Sequence, residues 1–429
     1  MSVADTKLYR GALPQKGEPA WLRTRREAGL ARFEQTGFPT RRQESWRYTD
    51  LRALQLTPFP PARDAAALSP DAIAPWRFAG ETHRLVFVDG KFSEALSAIG
   101  TLSKGATIGP VSTLVSARPA LLEAAFDAGD DAAAQPFAAL NAAIFADGFV
   151  LALEAGVTLD KPVEIIHWVG AGAARSCHLR NLVNLAPNAR ATLIESFAGS
   201  GLYWNNAVTR IALSEGAALS HAKVQSESED GIHLALNRVT LAAKSAYQSF
   251  VLTLGAKLSR HETQALLAGE GASVGLDGAF LLRGSQDATN VTFVDHAAPG
   301  GTTRELFKGV ADDRAHGAFL GTIAVRPHAQ KTDAQQTSRN LLLSPRAAID
   351  TKPELEIFAD DVKCAHGATV GDLDEAALFY LESRGIPADA ARRMLIEAFA
   401  ADALDRVTDQ PLRDFLDGHL RRWLKVLPA

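Results

Sequence analysis

Thiols are scarce in this 429-residue chain, which has two cysteines, Cys177 and Cys364. Two thiols exclude a disulfide framework, and in a reducing compartment they stay free. They also fall short of the four thiolates of a one-chain iron–sulfur or zinc site, so a cluster here needs histidine, carboxylate or a second subunit. An excess of one charge is missing as well. Lys and Arg number 45 against 49 Asp and Glu, a formal net charge of −4 that gives no general attraction to nucleic acid or acidic membranes. No segment approaches the roughly 20 unbroken apolar residues of a membrane span, and the start, MSVADTKLYRGALPQKGEP, has no secretory apolar run. The expectation is a cytoplasmic chain with no nucleic-acid or membrane partner.

Catalytic signatures are missing too. There is no G-x-x-x-x-G-K-[ST] phosphate loop, and the glycines of AGEGASVG (269, 271 and 275) miss the dinucleotide spacing and read as a β turn. No G-x-S-x-G and no H-E-x-x-H occur. In RHET, His261 and Glu262 are neighbours, and adjacent strand residues point to opposite faces. In VDH, Asp295 reads as a turn residue and His296 as a solvated imidazole, as do His316 and His328. The runs RTRRE and RRW read as solvated helix faces.

What is present is length, apolar content and a change of period. At 47% hydrophobic the chain is ordinary globular material, long enough for two or three structural units. EPAWLRTRREAGLARFEQTGFPT reads as a helix stopped by Gly37 and Pro39, TPFPPARDAAALSPDAIAPW as a linker, and PALLEAAFDAGDDAAAQPFAALNAAIFA as a second helical stretch. From about Asp147 the helical period gives way to short β-prone runs such as GFVLALE, VEIIHWV, ATLIESF and GAFLGTIAV, separated by Gly, Asn, Asp or Ser. A small corner motif recurs: PNAR at 187, EGAA at 215, KSAY at 244, EGAS at 270, DRAH at 313 and PRAA at 345. That recurrence favours the stacked coils of a solenoid over a β-sandwich or jelly roll. A solenoid leaves pairing edges only at its two ends, and those need a cover.

The tail returns to helical period. DLDEAALFYLESRG and IPADAARRMLIEAFAADALDRV are followed by QPLRDFLDGHLRRWLKVL, where Leu412, Phe415, Leu416, Leu420, Trp423 and Leu424 make one apolar stripe. Helices of this size dock on the β region or on another chain. The organisation expected is a helical and mixed N-terminal region (1–146), a β core (147–371) and a C-terminal helical domain (372–429).

The β core ends in DDVKCAHGATVG, residues 360–371. Cys364 and His366, two positions apart on a β-prone run, project from one face of a strand. Such a pair can hold a metal, arm a nucleophile or merely pack. A Cys–His nucleophile also needs an orienting group and an oxyanion site, which no motif displays. Soft thiolate plus imidazole suits iron–sulfur or zinc binding better, although two ligands leave the set incomplete.

The stretch KTDAQQTSRNLLLSPRAAIDTKPELEIFADDVKCAHGATVGDLDEAALFYLESRGI, residues 331–386, resembles the C-terminal core of the SufB/SufD family, the scaffold subunits of the SUF iron–sulfur cluster assembly machinery. GFPTRRQESWRYTDL, residues 37–51, resembles the short element near the start of the same family, and the paucity of cysteine together with CAHG matches its SufD branch. The resemblance implies a mainly β fold, a right-handed parallel β-helix flanked by helical segments. It implies a non-ATPase scaffold that pairs with SufB through the β-helix and binds the SufC ATPase through its C-terminal helices. It implies that His366, with Cys364 beside it, meets a transient iron–sulfur cluster shared with SufB at the SufB–SufD interface. No residue here decides whether a flavin joins that complex or whether the isolated chain forms homodimers. Two competing readings are a purely structural partner of SufB, and a β-helical polysaccharide-acting enzyme. The latter needs a row of carboxylates on one exposed β face and usually export, and neither is displayed.

Overall fold

The computed structural model describes residues 8–13, 17–127 and 135–425, and in it the chain winds as a β-solenoid with two walls. Three strands come from the N-terminal third: β1 (His83–Val88), β2 (Lys91–Phe92) and β3 (Ala106–Pro110). The coils proper follow. One wall carries β4 (Phe149–Leu153), β6 (Arg175–Leu185), β8 (Tyr203–Leu213), β10 (Ile232–Leu241), β12 (Leu258–Leu267), β14 (Asp287–His296), β16 (His316–Val325) and β18 (Ala348–Ile357). The other carries β5 (Val163–Val169), β7 (Arg190–Gly199), β9 (Ala218–Gln225), β11 (Ala246–Thr253), β13 (Ser273–Leu282), β15 (Thr302–Ala311), β17 (Asp333–Leu342) and β19 (Lys363–Gly371). Each coil strand pairs in parallel with the strands two before and two after it, so inward positions stack in columns along the axis.

The turn chemistry that sets this period sits at one corner. Gly156, Asn188, Gly216, Lys244, Gly271, Gly300 and Lys331 all have positive φ and recur 27 to 32 residues apart. Glycine and asparagine suit that left-handed conformation, which the two lysines adopt under the constraint of their neighbours. Each of these amides donates to a carbonyl of the next coil, as Gly216 does to Ala243 and Lys331 to Asp361. The next residue is small and buried: Ala189, Ala217, Ser245 and Ala272. Four of the six sequence motifs therefore lie on one corner ladder. DRAH and PRAA lie on the opposite corner, ahead of β16 and β18, which explains the irregular interval between the motifs at 270 and 313.

The two ends of the solenoid differ. At the first coil, β1 adds in parallel to β5 and turns back through antiparallel β2, while β3 closes the other wall antiparallel to β4. Among the described residues β18 and β19 at the last coil each have a strand neighbour on one side only, as β2 and β3 do at the first, but over 10 and 9 residues rather than 2 and 5. His316 steadies this final coil. Its Nε2 lies 2.9 Å from Asp350 on β18 and its Nδ1 3.3 Å from Asp287 on β14. The Asp287 hydrogen bond, with Asp350 adding to it against burial, raises this imidazole to about 9. His316 and the buried His296, whose Nε2 meets Thr303 Oγ1 at 2.7 Å, thus differ from the solvated imidazoles expected of them. A group whose pKa rises on folding stabilises below its unfolded value near 6.5 and loses that contribution as pH climbs through about 9. Between pH 6.5 and 10, urea unfolding should show the chain losing about 1 kcal/mol more than His316→Gln does, a figure already discounted for solvent screening.

Helices clothe both walls. α1 (Ala20–Thr36) and α3 (Pro136–Ile144) cover the even-numbered wall, while α2 (Pro119–Asp127) packs near β4 and β6. The single helical stretch expected over 119–146 is thus two helices, and its residues 128–134 lie outside the described residues. The linker expected after residue 56 is tied down, with Pro61 bridging to Ser176 of β6. Arg26 of α1 is buried against the ring of Phe145 and donates to the carbonyls of Ala143 and Phe145, so the RTRRE run is not wholly solvated. In the tail, α4 (Glu375–Ser383), α5 (Ala388–Leu404) and α6 (Gln410–Leu424) follow one another. The Leu412–Leu424 stripe does not reach the solenoid's end. It folds back on the flank of the odd-numbered wall, against Ile194, Val224, Leu252 and Leu281.

Candidate functional site

The sequence pattern that singles out Cys364 and His366 places both on β19, the outermost strand of its wall. In register they stand over Ala334 and Gln336 of β17, two buried residues that face the solenoid interior. Alternation then sets Cys364 and His366 on the same inward face, about 7 Å apart along the strand. Because no coil follows, that inward face opens to solvent. Cys364 is half-buried and packs on the interior apolar core, whereas His366 is exposed. Burial pushes the Cys364 thiol up and Asp333 adds to this, partly offset by the Ala334 amide, which favours the protonated thiol.

Around this pair the end of the solenoid is apolar and unpaired. Ile357, Phe358 and Val370 are 41%, 65% and 44% exposed. β18 and β19 run for 10 and 9 residues with free edges, which is the length at which a strand edge templates pairing with another chain. Among the described residues, no three His, Cys, Asp or Glu side chains stand where they could hold one metal ion. The structure thus brings Cys364 and His366 together on one open rim.

Alternation also reveals a polar interior that sequence reasoning passed over. In LSHAKVQ, His221, Lys223 and Gln225 occupy every second position, a pattern that resembles a solvated outer face. In the solenoid the outer face is covered by the tail, and these polar residues point inward. His221 Nε2 lies 2.8 Å from Glu195 Oε2 and its Nδ1 2.9 Å from the Tyr247 hydroxyl, while His233 pairs with Glu227 at 2.7 Å. Burial lowers the Lys223 ammonium to about 8, against the pull of Glu195 and Glu227. His261 faces this interior and Glu262 the outside, the separation expected for RHET.

Comparison with known proteins assigns the sequence to a family. The SufBD core domain of the SUF system for FeS cluster assembly matches residues 168–399, and the SufBD N-terminal region matches residues 7–165. The chain belongs to the SufB/SufD family. It is 33% identical to an iron–sulfur cluster assembly protein SufD of Escherichia coli (strain K12), over 90% of this chain and 89% of that protein. A SufBD family protein of Synechocystis is 34% identical over 90% of this chain and 86% of its own length, and the chloroplastic protein ABCI7 of Arabidopsis thaliana is 30% identical over 92% and 85%. The SufBD core match begins within β5 and ends within α5, so the open rim and the start of the tail both lie inside it.

Proposed function

We propose that this chain is a non-ATPase scaffold subunit for iron–sulfur cluster assembly in the cytoplasm, which pairs through its uncovered last coil with a SufB chain and offers His366 and Cys364 to a nascent cluster. The observation that carries this reading is the asymmetry of the ends: the first coil ends in short antiparallel strands, while the last ends in two long strands that are each paired on one side only, one of which bears a thiol and an imidazole. A partner β-helix supplies the missing edge hydrogen bonds and covers Ile357, Phe358 and Val370. It also supplies the thiolates that a two-cysteine chain lacks. The cluster is cargo, held while it forms and then passed on. The SufC ATPase docks on the C-terminal helices. There α4 buries none of its residues, and Phe379, Tyr380 and Met394 are 72%, 58% and 48% exposed.

Charging the rim tests the pairing. The double variant Ile357→Lys, Val370→Lys places two like charges among apolar rim residues, the device by which sheet edges resist pairing. Co-purification with SufB should fall more than tenfold while the isolated chain unfolds at the same urea concentration. Undiminished pairing would mean that the partner binds elsewhere.

A further inference from the structure

Directly beneath His366 the solenoid interior holds a polar pair that the ligand reading does not use. In the column formed by β15, β17 and β19, Glu305 pairs in register with Gln336, and Gln336 with His366. Gln336 is 1% exposed and Glu305 4%. Gln336 Nε2 donates to Glu305 Oε2 at 2.7 Å, and Thr292 Oγ1 donates to the same oxygen at 3.1 Å. An oxygen that accepts from both neighbours fixes the amide with its NH₂ group toward Glu305. The orientation survives protonation of the other carboxyl oxygen, which matters because burial pushes Glu305 up to about 7. The far side of the amide is therefore its oxygen, and Gln336 Oε1 is buried without a hydrogen-bond partner among the described residues.

The facing wall is shaped for this side chain. A Cβ at Gly321 would lie 2.1 Å from Gln336 Nε2, so a larger residue there would force the amide out of this position. A buried carbonyl-type oxygen without a donor is rare in folded proteins and calls for one. The strand beyond β17 on this wall is β19, about 4.8 Å away, and its residue in register is His366.

We propose that Gln336, oriented by Glu305, accepts one ring N–H of His366 and so fixes which imidazole nitrogen faces an incoming metal. Gln336 is a positioning residue and Glu305 the anchor of its amide. This inference rests on the reading of His366 as a ligand. A neutral imidazole binds metal through the nitrogen that lacks the proton, and an acceptor on the other nitrogen settles the tautomer and the ring's direction.

The test uses the full chain with ¹⁵N-labelled histidine, and His366→Ala to assign the His366 signals. At pH 8 the wild-type His366 should show one neutral tautomer. Gln336→Met, nearly isosteric but without an acceptor, should show a mixture and should slow cluster assembly in the complex about tenfold. Gln336→Glu keeps an acceptor and adds a carboxylate, so it should keep one tautomer and move the His366 titration to higher pH. A purely structural Gln336 would leave the tautomer unchanged in Gln336→Met, whereas the titration shift in Gln336→Glu reports only that residue 336 lies beside His366. An unaltered tautomer in Gln336→Met, or a mixture in Gln336→Glu, overturns the proposal, and Gln336→Leu, read by the same tautomer signals, decides should Gln336→Met not fold. If His366→Ala assembles clusters at the wild-type rate, the ligand reading fails instead. If His366→Ala loses assembly while Gln336→Met keeps both tautomer and rate, only the positioning role fails.

Discussion

Replacing His366 by alanine should cut iron–sulfur cluster assembly by the complex at least tenfold, while the fold and the pairing of subunits stay intact. Losing one ligand of a shared site costs no less than the 10–100-fold typical of losing a group that merely orients a ligand. The side chain is exposed on an outermost strand, so its removal should change stability by less than about 0.5 kcal/mol. Cys364→Ala should behave differently. The half-buried thiol packs on the interior core, so its loss should cost about 1 kcal/mol in urea unfolding. Its effect on assembly should be milder, because the protonated thiol must give up its proton before it binds, whereas a neutral imidazole is ready to ligate. Reconstitution of the complex with iron and sulfide, followed by absorbance, reads both variants. Wild-type rates in both would reduce the pair to a packing cysteine and a solvated histidine.

Much of the fold was legible in the order of residues, for identifiable reasons. The corner positions demand positive φ, and sequence satisfies that demand with Asn188, Gly216 and Gly271, which is why the repeat could be seen at all. Where Lys244 and Lys331 meet the same demand, the motif fades, because neighbouring coils rather than propensity hold those backbones. The second corner was indistinguishable from the first, since both pair a turn with a small buried residue such as Ala315 or Ala272. Cys364 and His366 stood out because a thiol is rare here and strand alternation puts the two on one face. The polar interior did not, because alternation marks two faces without saying which is wet. That depends on the tail, which folds back over the wall from more than a hundred residues away. The open final coil was equally silent: a strand carries no local sign that nothing will pair with its far edge.

The tail separates docking from stability, and two substitutions should show it. Leu416 is fully buried between α6 and the flank of the odd-numbered wall, so Leu416→Ala should cost about 2–5 kcal/mol in urea unfolding. Lys308, buried in β15, adds a polar clasp by donating to the Phe399 carbonyl at 2.9 Å and pairing with Asp402. The apolar stripe is therefore consumed within the chain, and the exposed surface left for the proposed docking of SufC is the α4–α5 face with Phe379, Tyr380 and Met394. Deleting residues 372–429 cannot test this cleanly, since it would bare Ile194, Val224, Leu252 and Leu281 and favour aggregation. Phe379→Ala with Tyr380→Ala can. Both side chains are more than half exposed, so unfolding should shift by less than about 0.5 kcal/mol, while SufC co-purification should fall more than tenfold. Leu416→Ala should instead weaken SufC capture only near the denaturant range where the chain itself loosens. SufC capture unchanged by the Phe379 and Tyr380 pair, but lost in Leu416→Ala under native conditions, would move the docking surface from α4 to the packed helices behind it.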